Sequence, residues 1–338
     1  MKLSVLDLSP VTGDATPAQA VRETLEVAKA AERAGYHRFW VAEHHNIAAL
    51  GSPSPEVLIA ALSQVTSTIR LGSGGVMLVN HSPLKVAEVF MELEALAPGR
   101  IDLGLGRALG ADARTGGALR SVGSEAFPQY FALLSTWLLD AAGKQPIPDG
   151  HPLRDIHAQP AGPSHPQMFV LCTSQESAEF AGRMGVGMVF AEFIARTDGD
   201  AAVATYRKAF EPSLFQAEPY AGIALVAYAA DSGEQAWRED ALRRAATVSM
   251  LSGRRRRFAD LDAAETFLSE HAGTPILAVV EGRSIAADAS AVAARLAEKA
   301  RRAQADEVFV MSTGPSLATR VRSLELIAQA ASVRSAAA

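Results

Sequence analysis

Arg38-Phe39-Trp40-Val41-Ala42-Glu43-His44-His45-Asn46 is a short apolar, aromatic-rich run that ends abruptly in an acid and two adjacent imidazoles. A β-strand that releases its polar groups at its C-terminal tip is how a parallel α/β protein builds an active site. Imidazole titrates near neutral pH, so this tip carries side chains suited to proton transfer. An isolated pair of histidines is as often a solvated strand end; the place of this pair, directly after an aromatic strand, favours chemistry. A metal site has less behind it, and none is expected. No His-Glu-x-x-His spacing occurs, and adjacent residues on a strand point to opposite faces.

Outward from this stretch, strand-like and helix-like patterns alternate. The spacing predicts strands at residues 3–8, 39–42, 69–71 with 76–79, 101–105, 168–171, 188–190, 223–229 and 307–311. Helical patterns follow them at residues 18–34, 55–68, 84–96, 127–142, 177–184, 200–210, 234–248 and 317–331. Gly35 just past the first helix, Pro55 in the first turn of the second and Pro98-Gly99 after the third punctuate the pattern. Eight strand–helix units predict an α/β fold, a (β/α)8 TIM barrel with insertions at its C-terminal face. Such barrels use about 250 residues; this chain has 338. The surplus falls in residues 111–123, 143–166 and 249–283, the last beginning near Ser252-Gly253-Arg254-Arg255-Arg256-Arg257 and containing a short helix at 261–271. Residues 1–338 thus read as one domain, with 249–283 as a lid insertion.

Composition narrows the function. A net charge of −5 with 20% charged residues argues against a general nucleic-acid binder. No run approaches the roughly 20 apolar residues that span a bilayer, and the N-terminus lacks the apolar core of a signal peptide. One cysteine, Cys172, excludes an internal disulfide framework and suits a reducing cytoplasm. The alanine-rich residues 335–338 are expected to fray.

Two glycine-rich tips, Gly72-Ser73-Gly74-Gly75 and Gly104-Leu105-Gly106-Arg107, lack the spacing of a dinucleotide fingerprint. They read either as ordinary turns or as bare backbone that lets a flat ring approach. Arg107 is suited to bidentate phosphate binding. Thr173-Ser174-Gln175-Glu176-Ser177 opens a helix; Thr173-x-x-Glu176 has the form of a capping box, and the same hydroxyls and amides make an anion site. On consecutive strands, Arg107 and this helix start would clamp one phosphate. Arg254 to Arg257 reads as a solvated loop or, alternatively, as a lid that closes over an anion.

Phe39 to His45, Gly72-Ser73-Gly74-Gly75-Val76-Met77-Leu78, Pro98-Gly99-Arg100-Ile101-Asp102-Leu103-Gly104-Leu105-Gly106-Arg107 and Thr173 to Ser177, in this order and spacing, resemble the luciferase-like flavin monooxygenases of the bacterial luciferase superfamily. The opening Ser4-Val5-Leu6-Asp7-Leu8-Ser9-Pro10 resembles the single-chain branch, some members of which act in aromatic polyketide antibiotic pathways such as that of mensacarcin. The resemblance implies a two-component system: reduced FMN (FMNH2) from a separate NAD(P)H-dependent flavin reductase, O2 as cosubstrate, a flavin C4a-hydroperoxide, and a small organic substrate. It implies a homodimer paired through early barrel helices. It assigns His44 as catalytic, with Glu43 and His45 orienting it or lining the pocket. It assigns Arg107, Thr173, Ser174 and Ser177 to the flavin phosphate, and Gly74 and Gly75 to a non-proline cis peptide against the ring. Bacterial luciferases proper carry a reactive cysteine where this chain has Gly106 and a glutamate where it has Thr173, and their mobile loop is unlike residues 249–283, so light emission does not follow. The alternatives are an F420-dependent dehydrogenase or reductase of the same superfamily and a non-catalytic flavin-binding protein. The full strand–helix count argues against the latter.

Overall fold

Runs of apolar residues with no polar interruption form strands that are covered on both faces, the signature of a parallel sheet wrapped by helices. The computed structural model describes residues 1–13, 15–254 and 256–335, the last four by backbone alone. Its strands are β1 (Lys2–Asp7), β2 (Arg38–Val41), β3 (Arg70–Ser73), β4 (Val76–Met77), β5 (Ile101–Gly106), β6 (Gln167–Cys172), β7 (Gly187–Ala191), β8 (Ala221–Ala230), β9 (Ser284–Asp288) and β10 (Glu307–Met311). Pairing is parallel in the order β1-β2-β3-β5-β6-β7-β8-β10, and β10 returns to β1. The result is a closed (β/α)8 barrel of eight staves, β4 extending the third by pairing with β5.

The period of two sorts each stave into two faces. Val5, Phe39, Val41, Leu71, Leu103, Val170, Ile223, Val308 and Val310 pack outward against the helices. Leu6, Trp40, Phe169, Val189, Ala224 and Phe309 meet inside the barrel, with the Trp40 ring 4.4 Å from Phe309 and 5.0 Å from Phe169. Beneath this layer, at the N-terminal end, the buried Arg38 donates to Asp102 (2.7 Å) and Glu307 (3.0 Å). Arg70 takes the other oxygen of Asp102 (2.5 Å), Trp40 Nε1 donates to Asp102 (2.9 Å), and Tyr220 OH donates to Glu307 (2.6 Å). Every charge in this plug is paired, as burial requires, and the open end is the C-terminal mouth.

The helices obey their end signals. Thr16 caps Pro17–Arg33 through a box with Gln19, and Gly35 follows at φ +83°. The last helix, Leu317–Ser335, is fastened across β1 by Arg320, which pairs with Asp7, both fully buried.

The chain departs from expectation after β8. In place of one helix at 234–248 there are two, Gly233–Glu239 and Ala241–Leu251, parted at Asp240. Leu261–Glu270 and Pro275–Gly282 follow, and these helices enclose a small core of their own around Ala245, Val248, Phe258, Phe267 and Leu277. Residues 284–288, unassigned from the sequence, form β9, which pairs with the upper part of β8 from Val226 to Ala230. The helix Ala289–Ala303 then returns the chain to β10. β9 escaped notice because Ala286 and Ala287 are weak strand formers. Of the other long segments, residues 111–123 leave the C-terminal end of β5 and hold the helix Ala113–Ala118, whereas residues 143–166 lead into β6 and so lie at the N-terminal end. Arg255 and residues 336–338 of the alanine-rich end lie outside the described residues. Among the described residues no helix is long and apolar enough to cross a membrane.

Candidate functional site

The tip of β2 delivers three polar residues to the mouth, and alternation separates them. Trp40 faces inward and Val41 outward; the ladder continues through Glu43 N–H to Gly75 O (3.1 Å). Glu43 therefore points out of the barrel and His44 toward its inner side. Glu43 is 1% exposed yet fully solvated by protein. It accepts from His45 Nε2 (2.8 Å), His81 Nε2 (2.9 Å), Asn80 Nδ2 (3.0 Å) and Met77 N–H (2.9 Å). Burial alone would raise its pKa; the donors, His81 foremost, outweigh burial and hold the carboxyl below its usual range. In return the bond to Glu43 lifts the His81 imidazole above its ordinary value. Asn80 and His81 were missed from the sequence, although Val76-Met77-Leu78-Val79-Asn80-His81 repeats the β2 pattern of an apolar run ending in polar residues.

His44 bonds to neither neighbour. Its Nδ1 is buried and has no hydrogen-bond partner. Burial pushes its pKa down, Glu43 partly opposing and His45 adding to the shift, so the ring is a neutral base at neutral pH.

Next to it the Gly74–Gly75 peptide is cis, and Gly74 N–H donates to Val41 O (2.7 Å). A Cβ on Gly74 would stand 2.7 Å from Leu6 Cδ1, one on Gly75 2.7 Å from Gly104 O, and one on Gly104 2.1 Å from Ser73 O. The third and fourth staves approach this closely only because those side chains are missing, which leaves bare backbone in the mouth.

Arg107 follows β5, and Ser174 opens the helix Gln175–Arg183 after the adjoining β6. The two meet: Arg107 Nη1 lies 3.0 Å from Glu176 Oε1, both side chains exposed. The capping box sits one residue later than expected. Ser174 Oγ accepts from Ser177 N–H and Ser177 Oγ from Ser174 N–H, each at 3.3 Å, because Ser174, with extended backbone, is the cap. Thr173 is exposed and Glu176 reaches to Arg107 instead. Cys172 is buried, and burial raises its thiol to about 12, which removes it as a nucleophile.

Of the arginine run, Arg256 and Arg257 are engaged within the protein. Arg257 donates to the carbonyls of Gly13 and Ala15, the latter at 2.7 Å. Arg256 lies over Phe258 and Phe267, 5.5 and 5.7 Å from their centroids. These two arginines hold the insertion together and against the loop after β1. No group of three or more His, Cys, Asp or Glu among the described residues is placed to hold a metal ion.

The mouth thus brings together Arg107 and the Ser174 helix start at the fourth and fifth staves, bare backbone at the third and, at the second, an imidazole whose Nδ1 has no partner. A flat ring with a phosphate tail fits those residues. The class that this fold and site define is the (β/α)8 enzyme with its chemistry at the C-terminal mouth. More narrowly, the chain belongs to the luciferase-like monooxygenases, whose family profile matches residues 1–307. It is 42% identical over 236 residues to a luciferase-like monooxygenase of Escherichia coli strain K12, covering 69% of this chain and 68% of that one. It is 36% identical over 288 residues to the N-acetyl-S-alkylcysteine monooxygenase of Bacillus subtilis, covering 85% of each. Among solved structures it is similar to apo-MsnO8, with 35% identity, a TM-score of 0.88 and coverage of 97% of this chain and 98% of that one.

Proposed function

We propose that the protein uses reduced FMN and O2 to oxygenate a small organic substrate, with the flavin supplied by a separate NAD(P)H-dependent reductase. The observation that carries this reading is the span across one mouth from Arg107 and the Ser174 helix start to the unpartnered Nδ1 of His44. Bound reduced FMN supplies the two electrons that send one oxygen atom of O2 to the substrate and the other to water.

The chain's own residues have four tasks. Arg107 and the first-turn amides of Gln175–Arg183 hold the phosphate, for which Glu176 must swing off Arg107; an exposed pair of this kind is worth about 0–1 kcal/mol, so the exchange is easy. Gly74 and Gly75 offer backbone to the ring. His44, neutral, takes and returns a proton at Nδ1. Glu43, with His45, His81 and Asn80, fixes the tip from which His44 projects. The insertion, including residues 249–283, serves as a lid that keeps water from the mouth. An aromatic polyketide intermediate suits this reading, as does a thioether of the kind named for the Bacillus relative. We place the enzyme in the cytoplasm, beside its reductase, as a homodimer.

Anaerobic titration with reduced FMN and with reduced F420, followed by an oxygen pulse watched by absorbance, tests the proposal. Binding of reduced FMN and an oxygen-dependent transient are expected. Binding of F420 alone, with no response to oxygen, would move the protein to hydride transfer and overturn it.

A further inference from the structure

One buried polar group of the mouth is still without a task. Thr313 is 8% exposed, and its Oγ1 is buried with no hydrogen-bond partner. A buried hydroxyl left unpaired costs about 1–3 kcal/mol, so it calls for a partner, and in a substrate cavity a ligand can supply one.

Its direction follows from β10. Phe309 belongs to the inner layer, and Val308 and Val310 face the helices. Ser312 N–H donates to Leu6 O (2.9 Å), extending the ladder past the strand, and the Ser312 hydroxyl faces outward to Arg320 Nε (3.5 Å). Alternation then returns Met311 and Thr313 to the inner side. The segment is held firmly. Arg320 is fully buried on Asp7, and Gly314 at φ +147° is wedged so tightly that a Cβ there would stand 3.0 Å from Arg320 Cγ and 3.1 Å from the Tyr228 ring.

Tyr228, two residues past Val226 on β8, lies beside Thr313 with its hydroxyl already donated to Glu239, and the other groups on the inner side of this sector are apolar. Leu8 and Phe193 pack on the inner layer from β1 and β7, and Val226 of β8 lies on the same face as Ala224. A flavin placed as proposed above occupies the tips of the second to fifth staves. The sector from β7 through β8 and β10 to β1, half the ring of eight, is left for the substrate. From this placement, which rests on the flavin reading, we infer that Thr313 is a specificity residue. Its hydroxyl pairs with a single neutral hydrogen-bonding group, such as a ketone carbonyl, on an otherwise apolar substrate. A carboxylate in this sector would lose its hydration, and the nearby Arg320 is already committed to Asp7.

The experiment loads wild type, Thr313→Val and Thr313→Ser with oxidised FMN. Each is titrated with 2-acetylnaphthalene, 2-ethylnaphthalene and 2-naphthoate, and binding is read from the perturbed flavin spectrum without turnover. Wild type is expected to prefer the ketone over the hydrocarbon about three- to tenfold, the worth of one hydrogen bond, and to reject the carboxylate. Thr313→Val should reverse the order of ketone and hydrocarbon, Thr313→Ser should keep it, and both should bind FMN as wild type does. Equal preference in wild type, an order unchanged in Thr313→Val, or no perturbation by any probe would overturn the inference. Failure of the wild type to bind FMN at all would instead strike the flavin reading.

Discussion

Replacing Glu43 by Gln keeps the shape of the buried hub and removes its charge. One carboxylate oxygen now faces Asn80 Nδ2 and His45 Nε2, the other faces Met77 N–H, and His81 Nε2 lies within reach of both. A glutamine has one oxygen, so its NH2 must face donors whichever way it is turned. Charge-assisted bonds of this kind are worth about 1.5–3 kcal/mol and a stranded buried donor costs about 1–3 kcal/mol. With imidazoles free to change tautomer, the net loss should be about 3–5 kcal/mol. Urea unfolding of the two proteins across pH measures it. His81, raised by Glu43, contributes stability that is full below its unfolded value of about 6.5 and is lost as pH rises through its higher folded value. Glu43, lowered, contributes above its unfolded value of about 4.3 and loses this as pH falls through its folded value. The gap between wild type and Glu43→Gln should therefore be widest between about pH 5 and 6.5 and narrow toward alkaline pH. A gap below about 1 kcal/mol, or one that does not change with pH, would refute the hub.

His44→Ala should lower oxygenation by about 10²–10⁴-fold while the FMN dissociation constant, read by fluorescence quenching, stays near that of wild type; parallel loss of both would remove His44 from proton transfer. Glu176→Gln frees Arg107, and FMN should bind about two- to fivefold more tightly; weaker binding would show that Glu176 supports the phosphate site rather than competing with it. Asp102→Asn leaves Arg38 with Glu307 as its one carboxylate and Arg70 with none and should cost about 3–5 kcal/mol in urea unfolding; a loss under 1 kcal/mol, the scale of an exposed pair, would mean that water reaches the plug.

Local pattern carried most of the barrel. The eight apolar runs that form the staves are visible because each is buried on both faces, and Glu43, His44 and His45 stand out as polar residues at the end of such a run. What stayed hidden depends on partners distant in the chain. That Glu43 gathers His81 and Asn80 follows from the turn after β4, and nothing near residue 43 announces it. Thr313 looks like any small polar residue until the register of β10 turns it inward. The offset of the capping box to Ser174 depends on how far β6 runs, a boundary set by pairing with β7 through Cys172 and Phe190. The alanine-rich stretch from β9 into the next helix lacks the bulky residues that mark periodicity, so the insertion and the returning barrel helix merged into one unread segment.

Asp7 and Arg320 are separated by 313 residues, and each is the counter-ion that makes the other's burial tolerable. During synthesis the first strand leaves the ribosome long before its partner exists. At about 5–20 residues per second the interval is on the order of 15–60 s. Through that time Asp7 has reason to stay hydrated, which disfavours premature closure of a partial barrel around it. A chain cut short before residue 320 would carry an unpaired acid at the seam between first and last staves, at a cost of several kcal/mol, about 3–5 by analogy with other broken buried pairs. The ion pair thus ties the seat of the first stave to the presence of the last helix, so the barrel seam closes fully only once both are made.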